Sequence, residues 1–83
     1  MKKIFYTNEG FKIIVKYDGN AIIDVNMYKK YLYFWFWMCG TYFYIGDYET
    51  IEDGVDIAVK KLIARYNFTK DIKLKLKEYF NNY

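Results

Sequence analysis

The chain has 83 residues, 54% hydrophobic and 24% aromatic, with 13 basic and 10 acidic side chains for a net charge of +3. That length suits a single domain, and so apolar a composition argues against disorder. One Cys and no His exclude an intramolecular disulfide and a structural zinc site, and they remove the commonest general base.

The start, MKKIFYTNEG, has a basic pair but too few apolar residues before Asn8 and Glu9 for a signal-peptide core. Lys2–Thr7 reads as a first strand, closed by Asn8-Glu9-Gly10. Phe11–Tyr17 is rich in β-formers and ends at Asp18-Gly19-Asn20, a strong turn signal. Ala21–Met27 alternates, with Ile23 and Val25 facing one way and Asp24 and Asn26 the other. The uncharged run YLYFWFWMCGTYFYIG follows and divides into strands Tyr31–Met38 and Thr41–Ile45 about a turn at Cys39-Gly40. At sixteen residues it falls short of the roughly 20 a spanning helix needs.

The registers can be set out in advance, because a slip of one residue moves every side chain to the other face. A three-residue loop at Asp18-Gly19-Asn20 pairs Phe11, Ile13, Val15 and Tyr17 with Met27, Val25, Ile23 and Ala21. A turn at Lys29-Lys30 pairs that second set with Leu32, Phe34, Phe36 and Met38, and the Cys39-Gly40 turn pairs Phe36 and Phe34 with Phe43 and Ile45. One face of the meander is then apolar throughout. The other holds Tyr31, Tyr33, Trp35, Trp37, Tyr42 and Tyr44 beside Lys12 and Lys16.

Thr50 is a suitable N-cap for a helix over 51–66, with Asp53 three residues on. Ile51, Val55, Ala58, Val59, Leu62, Ile63 and Tyr66 form its apolar stripe, and Asn67 can end it. From Thr69 onward Ile72, Leu76, Tyr79, Phe80 and Tyr83 fit a second helix, although Asp71–Lys77 alternates as a strand would. Composition favours the helix. The expected fold is therefore α+β: an antiparallel meander of four to five strands, one face covered by helix 51–66, plus a C-terminal helical segment.

Three covers suit the aromatic face: the chain's own C-terminal segment, a second copy in a homodimer, or a partner. Tyr and Trp serve as interface anchors, so Tyr33, Trp35, Trp37, Tyr42 and Tyr44 are the candidate partner-binding residues. Glu49, Glu52, Asp53 and Asp56, with Asp47, form an acidic corner that could steer a partner or mimic phosphates. The same acids also complement a helix dipole. Lys70, Lys73, Lys75 and Lys77 make a basic tail that, with the ring face, is an alternative nucleic-acid site. No phosphate loop, dinucleotide fingerprint or metal-ligand spacing is present, so no enzyme activity and no cofactor are expected.

In size and organisation the chain resembles the anti-CRISPR proteins, small phage-encoded inhibitors of bacterial defence. The resemblance lies in the short single domain, the meander Phe11–Ile45, the capped helix Thr50–Tyr66 and the acidic segment Asp47–Asp56. It implies a non-enzymatic inhibitor in the cytoplasm of a bacterial cell that occupies a surface of a host protein or nuclease complex. The basic C-terminal third sets this chain apart from strongly acidic members. Ranked below this reading are a nucleic-acid-binding module and a homodimeric structural protein; no membrane partner is expected.

Overall fold

Four strands run β1 (Lys2–Tyr6), β2 (Phe11–Tyr17), β3 (Ile22–Tyr31) and β4 (Phe34–Tyr44), followed by one helix, α1 (Ile51–Asn81). These elements come from a computed structural model that describes residues 1–81, with the side chains of residues 1–79. The strands form an antiparallel meander in the order β1-β2-β3-β4, which leaves β1 and β4 as edges. The α+β architecture follows the sequence pattern. No helix among the described residues is long and apolar enough to cross a membrane.

Local chemistry accounts for the turns. In the first hairpin the Phe11 N–H donates to Thr7 Oγ1 at 3.1 Å, and Gly10 takes φ +90°, open to glycine without a side-chain clash. In the second, Asp18 Oδ1 accepts from the Asn20 N–H at 2.8 Å, an Asx-type turn. The loop there is longer than the spacing suggests. Phe11, Ile13, Val15 and Tyr17 pair with Lys29, Met27, Val25 and Ile23, two residues on from the expected partners. A shift of two preserves the facing of every side chain, so the apolar face survives the change.

Two expected turns are absent. Lys29-Lys30 lies inside β3, and the chain reverses instead at Leu32-Tyr33, with Leu32 in the left-handed region at φ 58°. Cys39-Gly40 lies inside β4, so the separate strands Tyr31–Met38 and Thr41–Ile45 give way to one strand. Met27 pairs with Cys39 while Tyr28 pairs with Trp37, which leaves Met38 as an extra residue in a β-bulge. That bulge reverses the alternation of β4. Phe34 and Phe36 share the helix side with Cys39, Thr41 and Phe43, while Trp35 and Trp37 share the other side with Gly40, Tyr42 and Tyr44.

The core lies between the sheet and the first half of α1: Phe11, Ile13, Val15, Ile23, Val25, Met27, Cys39, Phe43, Ala58 and Leu62. Thr50 caps α1, its Oγ1 accepting from the Asp53 N–H at 3.1 Å. Gly54 sits in the first turn because Phe43 lies over it: a Cβ there would stand 2.5 Å from the Phe43 ring. Tyr66 closes the packed stretch, its ring edge-on to Phe11 at 5.0 Å.

Beyond Tyr66 the helix continues; it does not stop at Asn67 and restart at Thr69. Extending an existing helix adds one hydrogen bond per residue with no new nucleation cost, and no Gly or Pro interrupts 55–81. The second half runs beside the β3–β4 hairpin without packing closely on it, which leaves Phe68, Ile72, Leu74 and Leu76 exposed. Tyr83, which the spacing adds to this stripe, lies outside the described residues. Leu32 and Phe34 are exposed too and do not join the core, because the tip of the β3–β4 hairpin extends beyond β2. Phe36, level with the last β2 pair at Lys29, and Ile45, past the opposite end of β4 beside Ala21, are exposed as well.

Candidate functional site: an aromatic and basic sheet face

The face of the sheet away from α1 is built by strand alternation. β1 contributes Lys2, Ile4 and Tyr6, and β2 contributes Lys12, Ile14 and Lys16. β3 adds Ile22, Asp24, Asn26, Tyr28 and Lys30, and β4 adds Trp35, Trp37, Tyr42 and Tyr44. In register, Tyr6, Lys12, Tyr28 and Trp37 form one row across all four strands. Six rings and four lysines therefore stand on this face with a single carboxylate, Asp24.

Tyr6, Trp37, Tyr42 and Tyr44 are exposed, Tyr28 and Trp35 are half-buried, and most of these rings are held in place by neighbours. Tyr6 and Trp35 lie 5.7 Å apart between centroids, and the Lys12 ammonium sits 5.6 Å from the Trp35 ring centre. Such a cation–π contact keeps an ammonium beside an aromatic surface without burying it. The Trp37 indole N–H donates to Asn26 Oδ1 at 3.0 Å. Asn26 reaches it across Gly40, whose missing side chain leaves the space that the Asn26 carboxamide occupies. Tyr42 and Tyr44 meet edge to face at 5.8 Å. Among the described residues no part of α1 crosses this face, and Tyr6, Trp37, Tyr42 and Tyr44 are left uncovered by it.

Of the expected partner-binding residues, Trp35, Trp37, Tyr42 and Tyr44 stand together here. Tyr33 does not: it occupies the hairpin turn and is 88% exposed. Tyr31 moves to the helix side, since unbroken alternation along β3 places it with Lys29. Glu49, Glu52, Asp53 and Asp56 are exposed at the start of α1, on the other side of the sheet from the rings. Asp56 pairs with Lys60 at 2.9 Å, and Asp47 accepts from the Tyr44 N–H at 3.0 Å, so part of the acidic corner serves local structure. Tyr6, Tyr28, Lys2 and Lys30 were missed in the sequence. Their signal was parity, readable only if β3 is carried through to Tyr31 and β1 is counted into the sheet.

A second feature lies on the helix side. α1 past Tyr66 and the β3–β4 hairpin flank a cleft of about 630 Å³ lined by Lys29, Tyr31, Met38, Cys39, Arg65, Tyr66, Thr69, Lys70, Lys73, Leu74 and Lys77. Lys75 is not part of it. The Lys29 ammonium donates to Tyr66 Oη at 2.7 Å, and this bond raises the Lys29 pKa and lowers that of Tyr66. Burial raises the Cys39 pKa against a small opposing effect of Arg65. A buried thiol with a raised pKa is a poor nucleophile. The described residues contain no group of three or more His, Cys, Asp or Glu side chains placed to hold a metal ion.

No known protein family matches the chain, and no curated protein or solved structure gives a match to it.

Proposed function

We propose that this protein is a non-enzymatic binding module that grips single-stranded nucleic acid on its outer sheet face. The observation that carries this reading is the interleaving of exposed rings with lysines. Tyr and Trp alone suit a protein partner equally well, but Lys is depleted in the cores of protein–protein interfaces. Rings that stack on bases, beside ammonium groups that meet phosphates, are what a single strand requires, and a sheet is a suitable platform for both. Tyr6, Trp35 and Trp37 offer the stacking surfaces, with Lys12 and Lys30 beside them for the backbone.

Fluorescence anisotropy with labelled oligo(dT) and oligo(U) tests this. Trp35→Ala and Trp37→Ala each weaken binding about 5- to 100-fold, the range for losing one stacked base. Affinity falls with salt at a log–log slope of about −2, as expected for roughly three phosphate contacts. Absence of binding at low salt, or variants that bind as the parent does, would overturn the reading. So would a particle twice the monomer size in light scattering that Trp37→Ala returns to monomer, because the rings would then be a dimer interface.

A second reading rests on the acidic corner. Glu49 and Glu52 have no ion-pair partner among the described residues and lie close to Asp53 in the first turn of α1. Such a patch suits docking into a basic channel, as in inhibition of a host nuclease complex by an anti-CRISPR-like protein. Its test is co-purification with such a complex that Glu49→Gln with Glu52→Gln abolishes.

A further inference from the structure

The cleft between α1 and the β3–β4 hairpin is distinct from the ring face, because it opens on the other side of the sheet. Lys29, Arg65, Lys70, Lys73 and Lys77 line it, and no Asp or Glu does. None of these five cations has a carboxylate partner within ion-pair distance among the described residues. The carboxylates nearest in sequence, Asp71 and Glu78, are turned away from the cleft by the helical repeat. Five like charges around one hollow repel one another, and an anion in it relieves that repulsion.

The charges are also sorted. Lys70, Lys73 and Lys77 follow one another along a single side of α1, spaced by about 4.5–6 Å of helix rise. The opposite wall is the hairpin, with the Tyr31 ring and the apolar Met38 and Cys39. Lys29 sits 5.7 Å from the Tyr31 ring centre and 5.0 Å from that of Tyr66, so both rings are set beside a cation before any ligand arrives. A ligand that fits has a chain of negative charges along one edge and a flat ring on the other. The cleft volume, about 630 Å³, lies within the range typical of small-molecule sites.

We infer that this cleft is a binding site for a nucleoside polyphosphate, with Lys70, Lys73 and Lys77 against the phosphates and Tyr31 against the base. The site goes beyond the strand-binding face, since it uses other residues and takes a free nucleotide.

The test is isothermal titration of the full chain with ATP, tripolyphosphate and adenosine, alongside oligo(dT) anisotropy. ATP is expected to bind saturably, and adenosine at least about 100-fold more weakly, as the loss of several charge-assisted contacts implies. Lys73→Glu with Lys77→Glu weakens ATP about tenfold or more. Tyr31→Leu weakens ATP but leaves tripolyphosphate unchanged. Lys61→Glu with Lys75→Glu alters net charge equally outside the cleft and leaves ATP affinity within about twofold. Oligo(dT) affinity follows Trp35 and Trp37 and does not require Tyr31. Three results would overturn the inference. One is no saturable ATP binding at about 1 mM in low salt. Another is equal weakening by the two charge reversals, which would make the effect one of net charge. The third is a cleft that captures only the strand: Lys73→Glu with Lys77→Glu abolishing oligo(dT) binding while ATP fails to bind.

Discussion

The two faces of this sheet use the same residue types for different ends. On the helix side, Phe43, Phe11 and Tyr66 are packed among aliphatic side chains, and Leu62 is 1% exposed. On the other side, Trp37 and Tyr42 are each 58% exposed, yet their neighbours hold them in defined positions. Aromatic content by itself therefore does not mark a core. What separates the faces is the second partner: one has a helix laid across it and the other has lysines between its rings. The first face stores stability and the second displays chemistry.

That division can be broken experimentally. The largest expected effect is Leu62→Ala, which opens a cavity between α1 and the sheet. It should cost about 2–5 kcal/mol in urea unfolding while oligonucleotide affinity of the folded fraction stays unchanged. A loss of affinity without loss of stability would mean that the helix side takes part in binding. Next comes Gly54→Ala. Helix propensity favours Ala by about 1 kcal/mol, but the new Cβ meets the Phe43 ring and Tyr48. Net destabilisation of about 1 kcal/mol is expected, and a stabilised variant would show that α1 can shift away from β4.

Asn26→Ala probes the outer face. It removes the acceptor of the Trp37 indole N–H, a bond with a typical net value of about 1 kcal/mol and in this case exposed. Little change in melting temperature is expected, together with a several-fold loss of oligonucleotide affinity as Trp37 loses its fixed orientation. Parent-like affinity would show that orientation is unimportant.

The smallest effect concerns Cys39. Burial raises its pKa, so the folded chain keeps the proton where the unfolded thiol ionises. Its stabilising contribution is complete below the ordinary thiol range, about 8.5, and is lost as pH rises through the raised folded value. Cys39→Ala should flatten the decline of the urea midpoint above that range. The native thiol should also react with iodoacetamide more slowly than the unfolded one; equal rates would place Cys39 at the surface.

Much of this arrangement is legible in the chain. Alternation identified Phe11–Tyr17 and Ala21–Met27 as strands with their correct faces, and spacing found the Thr50 cap and the stripe from Ile51 to Tyr66. Trp35, Trp37, Tyr42 and Tyr44 were assigned to one face for a different reason from the one that holds. A turn at Cys39-Gly40 would reverse the parity between the tryptophans and the tyrosines. The Met38 bulge does the same within one continuous strand. Gly40 looks like a turn residue but is small because Asn26 lies across it, a relation between strands that composition cannot express.

Periodicity and turn chemistry are local, and they determined β1, β2, the first part of β3, the capped start of the helix and its apolar stripe, since each depends on neighbours within a few residues. The tertiary structure decided what depends on distant partners. Pairing with β2 and β4 carried β3 through Lys29-Lys30 to Tyr31. The single helix ran on past Asn67 beside the hairpin and set Lys70, Lys73 and Lys77 opposite Tyr31. The ring face stayed open because α1 packs on the other side of the sheet, where burying Ile13, Ile23, Val25 and Met27 removes the most apolar surface from water.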